Sequence, residues 1–165
     1  GLGDVYKRQA FKYCEELASV VIPKSVTSIG DDAFQGCTQL ASVVIPKSVT
    51  SIGYRAFSYC TELASVVIPE GSKLTSISYS AFSYCTSLAS MKIPKSVTEI
   101  DDNAFNGCTS LTEVVIPEGS KLTSIGKGAF YGCTSLASIK IPESVTIGKG
   151  AFGGCVLLSQ DLQSK

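Results

Sequence analysis

From Ala10 onward the apolar residues fall in one recurring order: Ala-Phe, then Cys, then Leu, a Val pair, Ile-Pro and a closing Val-Thr-Ser-Ile. Within L-A-S-V-V-I-P, period-two alternation points Val20 and Ile22 inward and Ser19 and Val21 outward, which predicts a strand. Pro23 stops it, because proline cannot donate to a ladder. V-T-S-I-G shows the same alternation and predicts a second short strand ending at Gly30. The stretch x-x-A-F-x-x-C-x-x-L spaces Ala, Phe, Cys and Leu as on one helix face, enough for one or two turns. Asp32 and Asn103, one residue before Ala-Phe, stand where an N-cap would serve such a helix.

The pattern is strictly periodic. Cys falls at positions 14, 37, 60, 85, 108, 133 and 155, giving spacings of 23, 23, 25, 23, 25 and 22. Ala-Phe precedes each Cys and Leu follows it by three, so the unit is A-F-x-x-C-x-x-L-x-S-V-x-I-P-x-S-V-T-S-I-G-x-x. Coils are assigned to residues 10–32, 33–55, 56–80, 81–103, 104–128 and 129–150, with a partial coil at 151–158 and a tail or cap at 159–165. The two 25-residue coils insert two residues at a Gly-Ser turn (69–77 and 117–125), where surface loops accept them. The 22-residue coil reads V-T-I-G; a loss inside the strand would swap its faces, so the neighbouring turn is expected to absorb it.

One such coil cannot bury its own apolar face, whereas stacked copies can, about 4.8 Å apart. The expected architecture is an α/β repeat solenoid, mainly β and right-handed, with a parallel sheet on one face, second short strands, and one-to-two-turn helices behind. Leu17, Val20 and Ile22 match the L-x-x-L-x-L core of a leucine-rich repeat. The full motif, over residues 10–158, resembles the BspA-type leucine-rich-repeat family. That resemblance implies a leucine-rich-repeat array and a cell-surface or secreted protein of a host-associated bacterium or mucosal protozoan. Several members similar to it act in adhesion or host-protein binding. The chain is expected to be part of a longer protein.

Residues 1–9 do not follow the unit: Tyr6 stands in the Ile column and Lys7 in the Gly column. DVYKRQ, residues 4–9, resembles the translation of GATGTGTATAAGAGACAG, a transposase end sequence used in DNA library preparation. The segment is therefore read as non-native or irregular, and nothing is inferred from it about a signal peptide.

The 165 residues carry 14 basic and 14 acidic side chains, so no general attraction to nucleic acid or to an anionic membrane is expected. No apolar run is long enough to insert into a bilayer. There is no His, which removes Ser–His and Cys–His dyads, and a single Cys per coil does not supply paired metal ligands. Equivalent side chains in a stack point the same way, so the cysteines are read as an inward ladder of free thiols acting as small hydrophobes. Asp31–Asp32 and Asp101–Asp102 lie three coils apart, about 14 Å on the ladder spacing, too far to share one ion or bond. No enzyme activity, cofactor or metal is expected.

Candidate binding residues come from columns that vary. The outward strand column with Val21, Val44, Val67 and Val115 takes Lys92 and Lys140 in later coils, and the Ser column beside it takes Glu113. Coils three and four place Tyr54, Tyr59, Tyr79 and Tyr84 together beside Arg55, the composition of an interface hot spot. The expected role is a binding or adhesion module for a host or matrix protein or a glycan, outside the cell. The alternative is a structural spacer, and the tyrosines would then only pack over neighbouring coils.

Overall fold

The computed structural model of the chain describes residues 9–165. The first strands are β1 (Ser28–Ile29), β2 (Ser42–Val44), β3 (Ser51–Ile52), β4 (Ser65–Val67), β5 (Ser76–Ile77) and β6 (Ser90–Lys92). They are followed by β7 (Glu99–Ile100), β8 (Glu113–Val115), β9 (Ser124–Ile125), β10 (Ser138–Ile139), β11 (Thr146–Ile147) and one short helix, α1 (Gln160–Gln163). Every pairing is parallel and joins equivalent residues of adjacent coils, as Ser28 with Ser51 and Val43 with Val66. The result is a parallel β-solenoid of about five turns with little helix.

The sheets are distributed differently from the expectation. The continuous one, β1-β3-β5-β7-β9-β11, is built from the two-residue Ser-Ile strands, whereas the longer S-V-V strands split into β2-β4 and β6-β8-β10. The break falls at a 25-residue coil, whose two extra residues lie between β4 and β5. In the first coil, residues 19–21 form no strand. The Ser-Ile strands hold register throughout because Thr locks each coil to the one before it. Thr75 donates both its N–H and its Oγ1 hydrogen to Thr50 O, at 3.3 Å each, and Thr98 repeats this on Thr75 O. The shortened coil is not absorbed by the neighbouring turn, where Val145 bonds to Pro142 O as Val97 does to Pro94 O. The strand itself gives up the residue, Thr146 standing opposite Ser124 while it bonds to Thr123 O, and Ile147 stays opposite Ile125.

The expected helices over A-F-x-x-C-x-x-L are not formed; that stretch is a chain of turns. Alternate N–H groups leave the coil. Gln35 and Cys37 bond locally, three residues back, whereas Phe34 N–H reaches Ala56 O at 2.7 Å and Gly36 N–H reaches Ser58 O at 2.8 Å in the next coil. A helix would need each of these donors for its own i−4 carbonyl. Two residues per coil take left-handed backbone to permit this: Asp32 at φ 55° and Gly36 at φ 72° in the second coil. Asp32 and Asn103 are therefore turn residues and cap no helix.

The core is a set of ladders along the array. Phe34, Phe57, Phe82, Phe105, Phe130 and Phe152 are fully buried and stack face to face, with centroids 5.0 Å apart for Phe34–Phe57 and 5.4 Å for Phe130–Phe152. The cysteines beside them are free. Each buried thiol donates to a Phe carbonyl of the preceding coil, as Cys60 to Phe34 O at 3.1 Å and Cys85 to Phe57 O at 3.1 Å. The column thus needs an apolar group of thiol size that also carries a weak donor. A thiol reagent should modify exposed Cys14 rapidly in the native protein and reach the other six only on unfolding. Fast labelling of Cys60 or Cys85 without denaturant would contradict the ladder.

The irregular segment expected over residues 1–9 lies outside the described residues except for Gln9. Gln9 has φ 63° and bonds to Asp31 O at 2.9 Å, so it occupies the same column as Asp32, which bonds to Tyr54 O at 2.8 Å. At the other end, residues 159–165 fold back on the last coil: Gln163 Nε2 donates to Leu158 O at 2.7 Å, and Gly150 N–H to Lys165 O at 2.9 Å.

Candidate binding cleft

The turn ladder decides where the tyrosines point. Tyr54 and Tyr79 occupy one column, two residues before Ala, and their rings stack at 4.9 Å and 5°. Tyr59 and Tyr84 occupy the column before Cys and stack at 4.8 Å and 8°. The two pairs wall a cleft of about 290 Å³. Its floor comes from the two columns between them: Gln35, Ser58, Ser83 and Asn106 in one, Arg55, Ser80 and Asn103 in the other.

The walls are strained. Tyr59 and Tyr84 have φ 60° and 57°, whereas Gly36 and Gly107 fill the same column at 72° and 74°. Left-handed backbone costs a non-glycine residue roughly 1–2 kcal/mol, and a stacked aromatic pair recovers about 0.5–1.5 kcal/mol. Two such residues cost about 2–4 kcal/mol together against the one pair they form, so tyrosine there is a net cost to the fold. The Tyr59–Tyr84 ladder ends on Gly107, where a Cβ would stand only 2.7 Å from the Tyr84 ring.

Arg55 is committed rather than free. Its guanidinium lies 4.4 Å over the Tyr54 ring, and its Nε is 3.1 Å from Asp32 Oδ1, while Lys12 Nζ donates to Asp32 Oδ2 at 3.3 Å. The buried Asp32 carboxylate is shared by the two cations and partly offsets the charge of Arg55 beside the cleft. On the floor, the Ser58 and Ser83 hydroxyls lie 2.7 Å apart in a buried pair. Gln35 is only 5% exposed, and its Oε1 has no hydrogen-bond partner.

These contacts place the tyrosines on the turn side of the coils, not on any of the three sheets. A family model described as BspA type Leucine rich repeat region matches the chain in six copies, over residues 5–121 and 63–165. The chain belongs to the BspA-type leucine-rich-repeat family. Among solved structures it is similar to a leucine rich cell surface protein from Faecalibacterium prausnitzii A2-165 (37% identity, TM-score 0.78, 93% of this chain and 41% of that one). It is also similar to a leucine-rich repeat protein from Eubacterium ventriosum ATCC 27560 (32%, TM-score 0.80, 92% and 41%). The T. pallidum leucine-rich repeat protein matches at 33% identity and TM-score 0.70, over 94% of this chain and 83% of that one. The chain spans less than half the length of the first two of these. No curated protein matches it.

In this BspA-type array the remaining candidates lie elsewhere. Lys92, on β6, borders a separate hollow of about 420 Å³ with Lys95, Lys121 and three prolines. Glu113 opens β8 and pairs in register with Ser90 and Ser138, and Lys140 follows β10. None of the three lines the tyrosine cleft. Val21 and Val44 of the exposed valine column border a third, apolar hollow with Pro23, Pro46 and Pro69. Sequence reasoning missed Gln35, Ser58 and Ser83. The signal was available: their column, two residues before Cys, reads Lys12, Gln35, Ser58, Ser83, Asn106, Tyr131, Gly153, and changes at nearly every coil.

Burial makes the thiols from Cys37 to Cys108 chemically quiet. Burial pushes Cys37 up to about 11 and Cys108 up to about 12. It also raises Cys60 and Cys85, each helped by neighbouring cysteines. In the last pair the Cys133 thiol is raised, first by its interaction with Cys155 and then by burial, while that interaction draws Cys155 down. Among the described residues no cluster of three or more His, Cys, Asp or Glu could hold a metal ion.

Proposed function

We propose that this chain is a non-enzymatic binding module of a bacterial surface protein, acting in adhesion to a protein or glycan partner outside the cell. The observation that carries the reading is the tyrosine cleft of the third and fourth coils, where two strained tyrosines hold a position that four other coils give to glycine. The surface location is supported by the family and by the F. prausnitzii relative, which is described as a cell surface protein. Recognition would rest on shape and on contacts repeated along a rigid array. Lys92, Glu113 and Lys140 would form a second, charged contact region on the β6-β8-β10 face.

A spacer function is the rival, and the unbroken Phe, Cys and Thr ladders favour it, since they stiffen the array whatever it binds. The two are separated by screening immobilised host matrix proteins and glycans. The wild type is compared with a variant carrying Tyr54→Ala, Tyr79→Ala, Tyr59→Gly and Tyr84→Gly. Saturable binding that the variant loses by tenfold or more supports the module. A folded wild type that binds nothing supports the spacer.

A further inference from the structure

We infer that the tyrosine cleft is a subsite for a neutral saccharide, the hydroxyls of one or two sugar rings being held between the two tyrosine pairs. This rests on the binding-module reading and names its ligand class.

The cleft's chemistry selects for hydroxyl groups. In the Ser58–Ser83 pair one hydroxyl donates to the other, so one hydroxyl hydrogen is left for a further acceptor. Gln35 supplies the opposite need: its buried Oε1 is an acceptor with no donor, which is costly unless something fills it. The four tyrosines that line the same cleft are exposed, and each phenol can both donate and accept. A sugar hydroxyl, itself donor and acceptor, satisfies such a mixed set. A cation would meet no free carboxylate, because Asp32 is held by Lys12 and Arg55. A phosphate or sulfate is less well served, because Arg55, the one cation bordering the cleft among the described residues, already turns its Nε to that same carboxylate.

Size and direction agree with this assignment. A volume of about 290 Å³ sits at the lower edge of the range for small-ligand sites, which suits one or two rings rather than a folded epitope. Each tyrosine pair is already stacked, so its rings border the ligand as fixed amphipathic walls and lose little freedom on binding. One column of the polar floor runs along the array through Gln35, Ser58, Ser83 and Asn106, so a linear chain lying over it meets a polar residue at every coil.

The test uses the whole chain and a panel of neutral gluco-, galacto- and N-acetylglucosamine-based oligosaccharides, with a sulfated oligosaccharide as the charged control. Binding is read by calorimetry and by tyrosine fluorescence, since the chain has seven Tyr and no Trp. At least one neutral sugar should bind saturably and with little dependence on salt. Gln35→Met should weaken it about tenfold, and Tyr59→Gly together with Tyr84→Gly should weaken it more than tenfold, with the circular dichroism of both variants unchanged. Three results would overturn the assignment: no neutral sugar bound, sugar binding indifferent to both variants, or binding confined to the sulfated probe. If no sugar binds but a matrix protein binds through the tyrosines, the saccharide assignment falls and the binding module stands. If nothing binds, both fall.

Discussion

Raising the pH from 8 to 11 should unfold the protein cooperatively. Cys37, Cys60, Cys85 and Cys108 are buried thiols whose ionisation burial opposes, Cys37 being pushed from 9.0 up to about 11 and Cys108 up to about 12. Below the ordinary thiol value both states keep the proton, and the stabilising difference is fully present. Above it the unfolded chain releases protons that the folded chain retains, so the unfolded state binds fewer and stability falls as pH rises. The loss opens near pH 9 and runs to the folded values. At pH 10 it amounts to about 1.4 kcal/mol per thiol and about 6 kcal/mol for the four. That is comparable with the whole stability of a typical domain, about 5–15 kcal/mol. The check is denaturant unfolding at successive pH values, for the wild type and for Cys85→Ala with Cys108→Ala. The double variant is less stable at neutral pH, because each side chain leaves a cavity. Its stability should nevertheless fall with pH only about half as steeply above pH 9. Equal slopes would show that the thiols do not set the alkaline limit.

The repeat made much of this legible in advance. One Phe, one Cys and one Leu per coil at constant spacing leave little freedom, and all three columns are buried from Phe34 to Leu136. The helix was misjudged because A-F-x-x-C-x-x-L matches a helical stripe and a turn ladder equally well. The discriminating residues sat between the apolar ones. Gly precedes Cys at 36, 107, 132 and 154, all with positive φ, and glycine is disfavoured inside a helix but free in left-handed turns. Which sheet would be continuous was not legible. The insertions are visible in the chain, yet whether a ladder spans them depends on how the loop beyond the strand settles in three dimensions.

The site was half legible. Tyr54, Tyr59, Tyr79 and Tyr84 could be placed side by side from the columns alone, since stacked coils align equivalent residues. Arg55 was grouped with them, but its engagement with Asp32 depends on the left-handed turn at both residues, φ 50° and 55°, which the columns do not display. Gln35, Ser58 and Ser83 looked like ordinary turn polar residues. Only the fold shows that they are buried between two tyrosine ladders. Lys92, Glu113 and Lys140 stood out by composition but belong to another face.

Because each coil touches only its neighbours, the position of a core defect along the array should matter as much as its size. Phe82→Ala is the most damaging single change to expect. Its ring is fully buried between Phe57 at 5.3 Å and Phe105 at 5.4 Å, so truncation opens a cavity that faces two coils. Buried Phe→Ala changes cost about 3–5 kcal/mol, a third or more of a typical domain's stability. Phe152→Ala removes an equally buried ring with only Phe130 stacked on it, at 5.4 Å, so it should cost distinctly less. The central defect also weakens the coupling between the coils on either side, so urea unfolding of Phe82→Ala should broaden or split while Phe152→Ala keeps a single transition. Phe82→Leu, which refills most of the volume without the stacking face, should recover a large part of the stability and restore cooperativity. Equal costs at positions 82 and 152, or a loss below about 1 kcal/mol at 82, would mean that the phenylalanine stack is not what couples the coils.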